Sequence, residues 1–427
     1  MLPIVFESIT VNRVSGQLRL CLLGVSLVCF LLVQCIEADE PSSRSQVTRR
    51  PLILAHYMPW YTIQPATQAK PAVWGWHWTM DHFDPNKRSE GKRQIASAFY
   101  PLIGPYDSGD PQVIEYHLLL MKLAGIDGVI VDWYGQTQYR DYAVLNTNTY
   151  RLIQQVERLG MKFVICYEDQ TIPALVAGGQ LAEGEQVAHV VSELNWLGKY
   201  WFRSGSYVRL DDKPVLLSFG HAGLSDEQWT QCLGQLSQPV AYFSEHDRRT
   251  SAVGAFDWPV PSQGVERSQR FTQQGRQWQH QIPVVFPRFV DIYAQAGVNE
   301  GYGRIEDNDA KTLRSTLKWA LDSRSEIVQV ATWNDWGEGT QIEPSHEFGY
   351  RDLEIIQSAR RGRDAKFLSQ ESHLRFPFRL FQLRRSGKVD AESLDQVVRL
   401  IADGELDQAL VALKSYSQDL SPGVSVE

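Results

Sequence analysis

The run Gly128-Val129-Ile130-Val131-Asp132-Trp133 decides the architecture. It is short, β-branched through its middle and apolar until an acid and an indole close it. A strand with one wet face alternates polar and apolar residues, whereas a strand buried on both faces does not. Working outward, seven more runs of this kind appear: Leu52–Tyr57, Lys162–Tyr167, Pro214–Phe219, Val240–Ser244, Val253–Asp257, Ile282–Pro287 and Ile327–Trp333. Amphipathic segments lie between them. Pro111–Leu123 sets Val113, Ile114, His117, Leu118 and Met121 on one helical face; Asn148–Leu159 does so with Tyr150, Ile153 and Val156; Asp309–Leu321, opening on an N-cap residue, with Leu313 and Leu317. Eight buried strands alternating with helices predict an α/β fold, a (β/α)8 TIM barrel over residues 51–354. The competing arrangement, an open doubly wound sheet, usually carries a Gly-rich turn after an early strand, and the sequence has none.

The two ends read differently from the barrel. Arg13 and Arg19 precede an apolar run from Leu20 to Val33, which fits a targeting segment over residues 1–38. Three fates stay open for it: cleavage after Ala38, lipidation at Cys35 in Leu32-Val33-Gln34-Cys35, and retention as an anchor. Each predicts an exported protein, periplasmic, cell-surface or extracellular, that meets a membrane only through this segment. Residues 39–50 are polar and turn-rich, a flexible linker. Residues 355–427 predict a helical C-terminal module, in which Ala391–Ala402 and Glu405–Ser415 form a hairpin broken at Gly404. It could pack on the barrel or receive a partner.

The chain has 427 residues, 43% hydrophobic and 22% charged, which is the composition of a folded globular protein. Its formal charge of −8, with no basic cluster, argues against nucleic acid. Outside the targeting segment only Cys166 and Cys232 remain; one disulfide is possible, and two buried thiols fit better because Cys166 lies mid-strand. No spacing suggests zinc or any other metal, and no cofactor motif is present. Asp307-Asn308-Asp309 reads first as a helix cap. The 13 tryptophans suit either a large core or stacking on sugar rings, so their positions must decide.

In barrels of this type chemistry gathers where the strands end. The ends here offer His56-Tyr57-Met58-Pro59-Trp60, Asp132-Trp133-Tyr134, Tyr167-Glu168-Asp169, His221, Glu245-His246, Asp257-Trp258, Arg288 with Asp291, and Trp333-Asn334-Asp335-Trp336-Gly337-Glu338. The long segment Trp60–Tyr106, rich in Trp, His and Pro, adds His77 and Trp78. Carboxylates to bond hydroxyls and aromatics to stack on rings are what a carbohydrate site requires. Any one of these residues could instead cap a helix or pair with Arg. Asp335 and Glu338 form the sharpest pair, because glycosidic cleavage needs one group to protonate the leaving oxygen and another at the anomeric region. Trp333 and Trp336 could raise the acid's pKa by desolvation.

The string Ala331-Thr332-Trp333-Asn334-Asp335-Trp336-Gly337-Glu338-Gly339-Thr340-Gln341-Ile342-Glu343-Pro344 resembles the N-E-W-x-E-G-T-x-I-E stretch of glycoside hydrolase family 99, which contains endo-α-1,2-mannosidases and mannanases and is related to family 71. Tyr57 with Trp60, Trp76-His77-Trp78, Phe99-Tyr100-Pro101, Gly104 with Tyr106-Asp107-Ser108, and Asp132-Trp133-Tyr134-Gly135 match in order, so the resemblance spans roughly Leu52 to Tyr350. It implies a retaining hydrolase of oligosaccharides or polysaccharides. Glu338 matches the general acid/base. Asp335 falls where the family has a Glu that deprotonates the sugar 2-hydroxyl, giving a 1,2-anhydro intermediate. Tyr57, Trp60, His77, Trp78, Asp132, Trp133, Tyr134, Tyr167, Glu168, Glu245, Asn334 and Trp336 are the candidate substrate-binding residues. Asp is one methylene shorter than Glu, which sets its carboxylate on the order of 1 Å further back on an unchanged backbone. Gly337 stands where family members often carry His, which would open the site. Two alternatives stay open: the Asp at position 335 motivates a barrel that binds a glycan without cutting it, and the motif's likeness to that of barrels from polysaccharide assembly motivates a glycosyl-transferring enzyme, against which the export segment argues.

Overall fold

The structure, a computed structural model, describes residues 50–416. The targeting segment 1–38 and all of the linker 39–50 except Arg50 lie outside the described residues. Eight parallel strands run around one axis: β1 (Leu52–Tyr57), β2 (Gly128–Trp133), β3 (Lys162–Glu168), β4 (Lys213–Phe219), β5 (Ala241–Glu245), β6 (Gly254–Phe256), β7 (His280–Ile282 and Val284–Val285) and β8 (Ile327–Val330). Each pairs in parallel with its sequence neighbour from β1 to β6, and β8 returns to pair with β1. Pro283 interrupts β7, whose first part pairs with β6 and whose second part pairs with β8, so the seventh strand closes the ring in two steps. Proline has no N–H to give the ladder, which is why the break falls there.

Helices cover the outside: Pro111–Ala124, Tyr142–Arg158, Gln186–Lys199, Asp226–Gly234, Glu266–Gln274, Lys311–Asp322 and Arg351–Arg361. The first begins on an Asp110 side chain that accepts the Gln112 N–H, has Pro at its first position and stops at left-handed Gly125. Lys311–Asp322 starts later than its sequence suggested. Its N-cap residue is Ala310 and no side chain caps it; Asp307 Oδ1 accepts the Ala310 N–H at 2.9 Å, and Asp309 is not the cap. Cys166 and Cys232 are buried free thiols.

The boundary expected at residue 354 falls inside helix Arg351–Arg361, which packs on Pro111–Ala124 and completes the barrel wall. Beyond it, Ala391–Asp403 and Leu406–Ser415 form the hairpin, with Gly404 in the left-handed region at φ 81°. A helix the sequence reading passed over, Phe376–Ser386, joins this hairpin to the barrel. Its Arg384 donates to Glu115 at 2.9 and 3.1 Å, and Phe381 meets Tyr116 with ring centroids 5.6 Å apart. No helix among the described residues is long and apolar enough to cross a membrane.

Arg288, which follows β7, ties this wall to the loop after β8. It is 1% exposed, ion-paired to Asp352, 3.4 Å from Asp307, bonded to the Gln341 carbonyl at 3.1 Å, and stacked over Phe348 at 3.6 Å. Arg351 also pairs with Asp352, at 2.9 Å, and with Asp307, at 2.6 Å, so losing Arg288 strands the Gln341 carbonyl and weakens the cluster without leaving a carboxylate alone. Arg288→Met is therefore expected to destabilise the fold by about 1–3 kcal/mol, the cost of a buried polar group left without its partner. A denaturant midpoint within error of the parent protein would refute that.

Candidate active site

Side chains alternate across a strand, so of two neighbours at a strand end one enters the barrel and the other leaves it. His56, Asp132, Glu168 and Phe219 enter and line a cavity of about 380 Å³ at the C-terminal mouth. Their neighbours leave. Tyr57 bonds His117 on the covering helix at 3.0 Å. Trp133 stacks on Trp196 at 6.1 Å and donates to Asn146, and Tyr167 packs on the edge of Trp133 at 5.9 Å. Ser218 bonds Tyr242. The expectation that Tyr57, Trp133 and Tyr167 line the site is thus corrected by the pleat: they are core residues behind its wall.

The remaining wall of the cavity comes from loops. Trp60, Tyr134, Trp258, Tyr293, Asp335 and Glu338 are the chief contributors. A second chamber of about 620 Å³ shares Tyr134, Glu168 and Gln170 with the first and runs out over His77, Trp76, Asp141 and Tyr142. His77 lies flat against Trp60, with centroids 4.1 Å apart and 3° between planes. Trp60, His77, Asp132, Tyr134, Glu168, Asp335 and Glu338 are therefore brought together along one cleft. Trp78, Asn334 and Trp336 are not. Trp78 is buried and donates to the Tyr106 carbonyl at 2.8 Å, and Asn334 clamps both the N–H and the carbonyl of Met58. Trp336 donates to Tyr106 and Glu343 on the far side of its loop. Glu245 follows Ser244 on β5 and so shares the inward register of Phe219; it is not among the residues that line the cavity, but it accepts the Gly220 N–H at 3.0 Å and its charge acts on Glu338 and Glu168.

The loop after β8 explains how the pair is held. Thr332 Oγ1 accepts the Asp335 N–H at 2.8 Å, and Asp335 Oδ1 accepts the Glu338 N–H at 3.0 Å. Gly339 adopts φ +66°, and a Cβ there would lie 2.5 Å from the Val290 carbonyl, so only glycine fits this return. Gly337 does not open the site as expected. A Cβ on it would stand 2.9 Å from Met80 Cε and 3.5 Å from the Tyr293 hydroxyl, so those two side chains occupy that space.

Burial sets the protonation pattern. Asp335 is pushed up to about 6 by desolvation, against the pull of the Glu338 and Gly337 N–H groups. Glu338 rises well above the ordinary carboxylate range, first through desolvation and then through the charge of Asp335. Glu338 is partly exposed as a residue, but its Oε2 is shut off from solvent, and the Trp258 indole N–H, short of an ideal hydrogen bond, pulls against the rise. Asp132 and Glu168 are also held high, by desolvation first and then by Asp335 and Asp132 respectively. His56 falls to about 3 because burial disfavours its cation, an effect Gln329 only partly offsets, so it is neutral. Among the described residues no group of three or more His, Cys, Asp and Glu side chains is placed to hold a metal.

Sequence reasoning names His56 and Trp258 at strand ends but leaves them out of the substrate-binding set, and it misses Phe219, Gln170, Tyr293 and Tyr302 as wall residues. The period of two would have chosen His56 over Tyr57. Trp258 belongs to a strand end already singled out, where nothing in the run separates a wall tryptophan from a core one. Tyr293 opens a single helical turn, Tyr293–Ala296, and Tyr302 lies in the loop beyond it; neither carries a periodic signal.

The model of glycosyl hydrolase family 99 matches residues 50–168. The glycoprotein endo-alpha-1,2-mannosidase-like protein of Danio rerio is 34% identical over 319 residues, covering 67% of this chain and 69% of its own. The mouse (Mus musculus) protein of the same description is 22% identical over 341 residues, covering 72% of each chain. Among solved structures, the family 99 endo-alpha-mannosidase of Bacteroides thetaiotaomicron superposes with a TM-score of 0.54 at 17% identity, over 76% of this chain and 98% of that one. That likeness shows the barrel alone. The identity to the Danio rerio protein over two thirds of both chains goes further: this chain belongs to glycosyl hydrolase family 99 and is a glycosidase.

Proposed function

We propose that the protein is an exported, retaining glycosidase that cleaves within α-mannan-like glycans, with Glu338 as acid/base and Asp335 as the base toward the sugar 2-hydroxyl. The observation that carries this reading is the separation of two carboxylates in one cavity: Asp335 at about 6 and Glu338 well above its ordinary range. Environments that push two acids apart assign a base and an acid. Asp335 takes the 2-hydroxyl proton while O2 attacks the anomeric carbon. The bond to the leaving oxygen breaks as Glu338 protonates that oxygen. Glu338, now ionised, takes a proton from water, the water oxygen opens the anhydro ring at the anomeric carbon, and O2 recovers its proton from Asp335. Two inversions give net retention.

The mannose preference rests on the relatives, which are described as endo-alpha-1,2-mannosidase-like. A cleft that continues past Glu168 into a second chamber suits an internal bond better than a chain end. No Lys or Arg lines the inner cavity, which suits a neutral glycan over an anionic one. Export rests on the apolar run Leu20–Val33 behind Arg13 and Arg19.

The test is product analysis on a panel of α-mannans and α-glucans, with NMR of the first-formed anomer. The expected result is oligosaccharides released from an α-mannan as the α-anomer. Monosaccharide alone, or the β-anomer first, overturns the reading. Mass spectrometry of the N-terminus in the exported fraction tests localisation.

A further inference from the structure

Behind the loop that carries Asp335 and Glu338 lies a buried polar cluster that touches no part of the cavity. Its centre is Glu343, whose side chain is fully buried. Oε2 accepts the Tyr106 hydroxyl at 2.6 Å and the Trp336 indole N–H at 3.3 Å. Oε1 faces His117 Nε2 at 3.0 Å, off the axis of an ideal hydrogen bond. The Tyr57 hydroxyl stands 3.0 Å from His117 Nδ1. Asn334 Nδ2 donates to the Tyr106 hydroxyl at 3.2 Å.

The residues of the loop thus divide by direction. Asp335 and Glu338 face the cavity, while Asn334 and Trp336 reach back toward Glu343, directly or through Tyr106. The backbone closes on the same residue, since the Glu343 N–H donates to the Trp333 carbonyl at 2.9 Å. A charged acceptor bonds its donors about twice as strongly as a neutral one. A carboxylate gripping residue 336 from behind therefore fixes the backbone between the two groups in front.

We infer that Glu343 is the positioning residue of the catalytic loop, holding Asp335 and Glu338 in register through Trp336 and through Tyr106 with Asn334. The inference rests on the roles proposed above for that pair. His117, Tyr57 and Tyr106 orient the carboxylate in turn. With His117 protonated on Nε2, Tyr57 donates to Nδ1 and the His N–H points at Glu343. With the other tautomer the same geometry accepts an amide N–H from position 343, so the network tolerates a neutral isostere.

That tolerance supplies the test. Glu343→Gln keeps an oxygen for Tyr106 and Trp336 and turns its amide to His117, so kcat is expected within about fivefold of wild type. Glu343→Leu has similar size and no acceptor. Its kcat is expected to fall about 100-fold, the cost of roughly 1 Å of misplacement, with KM within threefold. Tyr106→Phe, which strands no charge, is expected to lose about tenfold in kcat and covers the case in which the Leu variant does not fold. Crystal structures of wild type and the Leu variant should show the 335–338 backbone displaced with the barrel unchanged. Unaltered kcat in both the Leu and Phe variants overturns the inference, and so does a Gln variant as impaired as Leu. The crystallographic comparison decides it even if no glycan is cleaved, in which case the proposed function fails and the positioning role is judged separately.

Discussion

Replacing Glu338 with Gln is expected to lower kcat on a natural glycan by about 10⁴-fold, the upper range for loss of a general acid/base, with KM little changed. Gln matches Glu in size, so the Glu338 N–H keeps its bond to Asp335 and the loop keeps its shape. What disappears is the proton for the leaving oxygen. An activated aryl leaving group needs that proton less, so the loss on such a substrate is expected to be at least roughly tenfold smaller. The variant should also be no less stable. A carboxyl whose folded pKa is raised holds its proton where the unfolded chain has already lost it. The fold therefore loses stability as pH climbs from the ordinary 4.5 through the raised folded value. Gln removes that loss, so the variant is expected to melt at or above the wild-type temperature at pH 8. Activity above about 1% of wild type on the natural glycan would remove Glu338 from this role.

The same two groups shape the pH–rate curve. Activity should rise as Asp335 ionises near 6 and fall as Glu338 loses its proton well above the ordinary carboxylate range. In the Glu338→Gln variant the descending limb should vanish while the ascending limb stays.

The barrel was legible because each of its strands is buried on both faces, and a continuous apolar run records that directly. Gly128–Trp133 and Lys162–Glu168 run as read, within a residue. The reading failed where structure is imposed from outside the run. The run predicts strand β8 as far as Trp333, yet the ladder ends at Val330, where the chain turns to build the loop around Asp335. The missed helix Phe376–Ser386 packs chiefly against Pro111–Ala124, a partner more than two hundred residues away in sequence, and also against the hairpin helices. The acids at the strand ends were visible, since a carboxylate closing an apolar run is conspicuous. Which aromatic belonged beside them was not, because tryptophan serves core and site equally well. Trp133 and Trp336 went to the core; Trp60 and Trp258 went to the cleft. The pleat separates some of these, and only tertiary structure separates the rest.

Asp335→Asn is expected to cost about 10³-fold in kcat, and an activated leaving group should not restore it. Asn keeps the size of Asp and its carbonyl oxygen can still accept the Glu338 N–H, so the loop survives. It cannot accept the 2-hydroxyl proton, which must leave for O2 to attack whatever the leaving group is. A substrate with fluorine in place of that hydroxyl should be inert to wild type for the same reason. The ascending limb near 6 should vanish as well. Asp335→Glu separates two accounts of the short side chain. If Asp were merely a truncated Glu, restoring the methylene would raise activity. The structure argues otherwise. The bond from Oδ1 to an N–H three residues on, at 3.0 Å, is one a short side chain makes, and a longer one would carry its carboxylate past that N–H into the cavity. The lengthened variant is therefore expected to lose about 100-fold, the cost of a displacement near 1 Å. Faster turnover in Asp335→Glu than in wild type would mean that the loop does not compensate for Asp, and that this site awaits the longer acid.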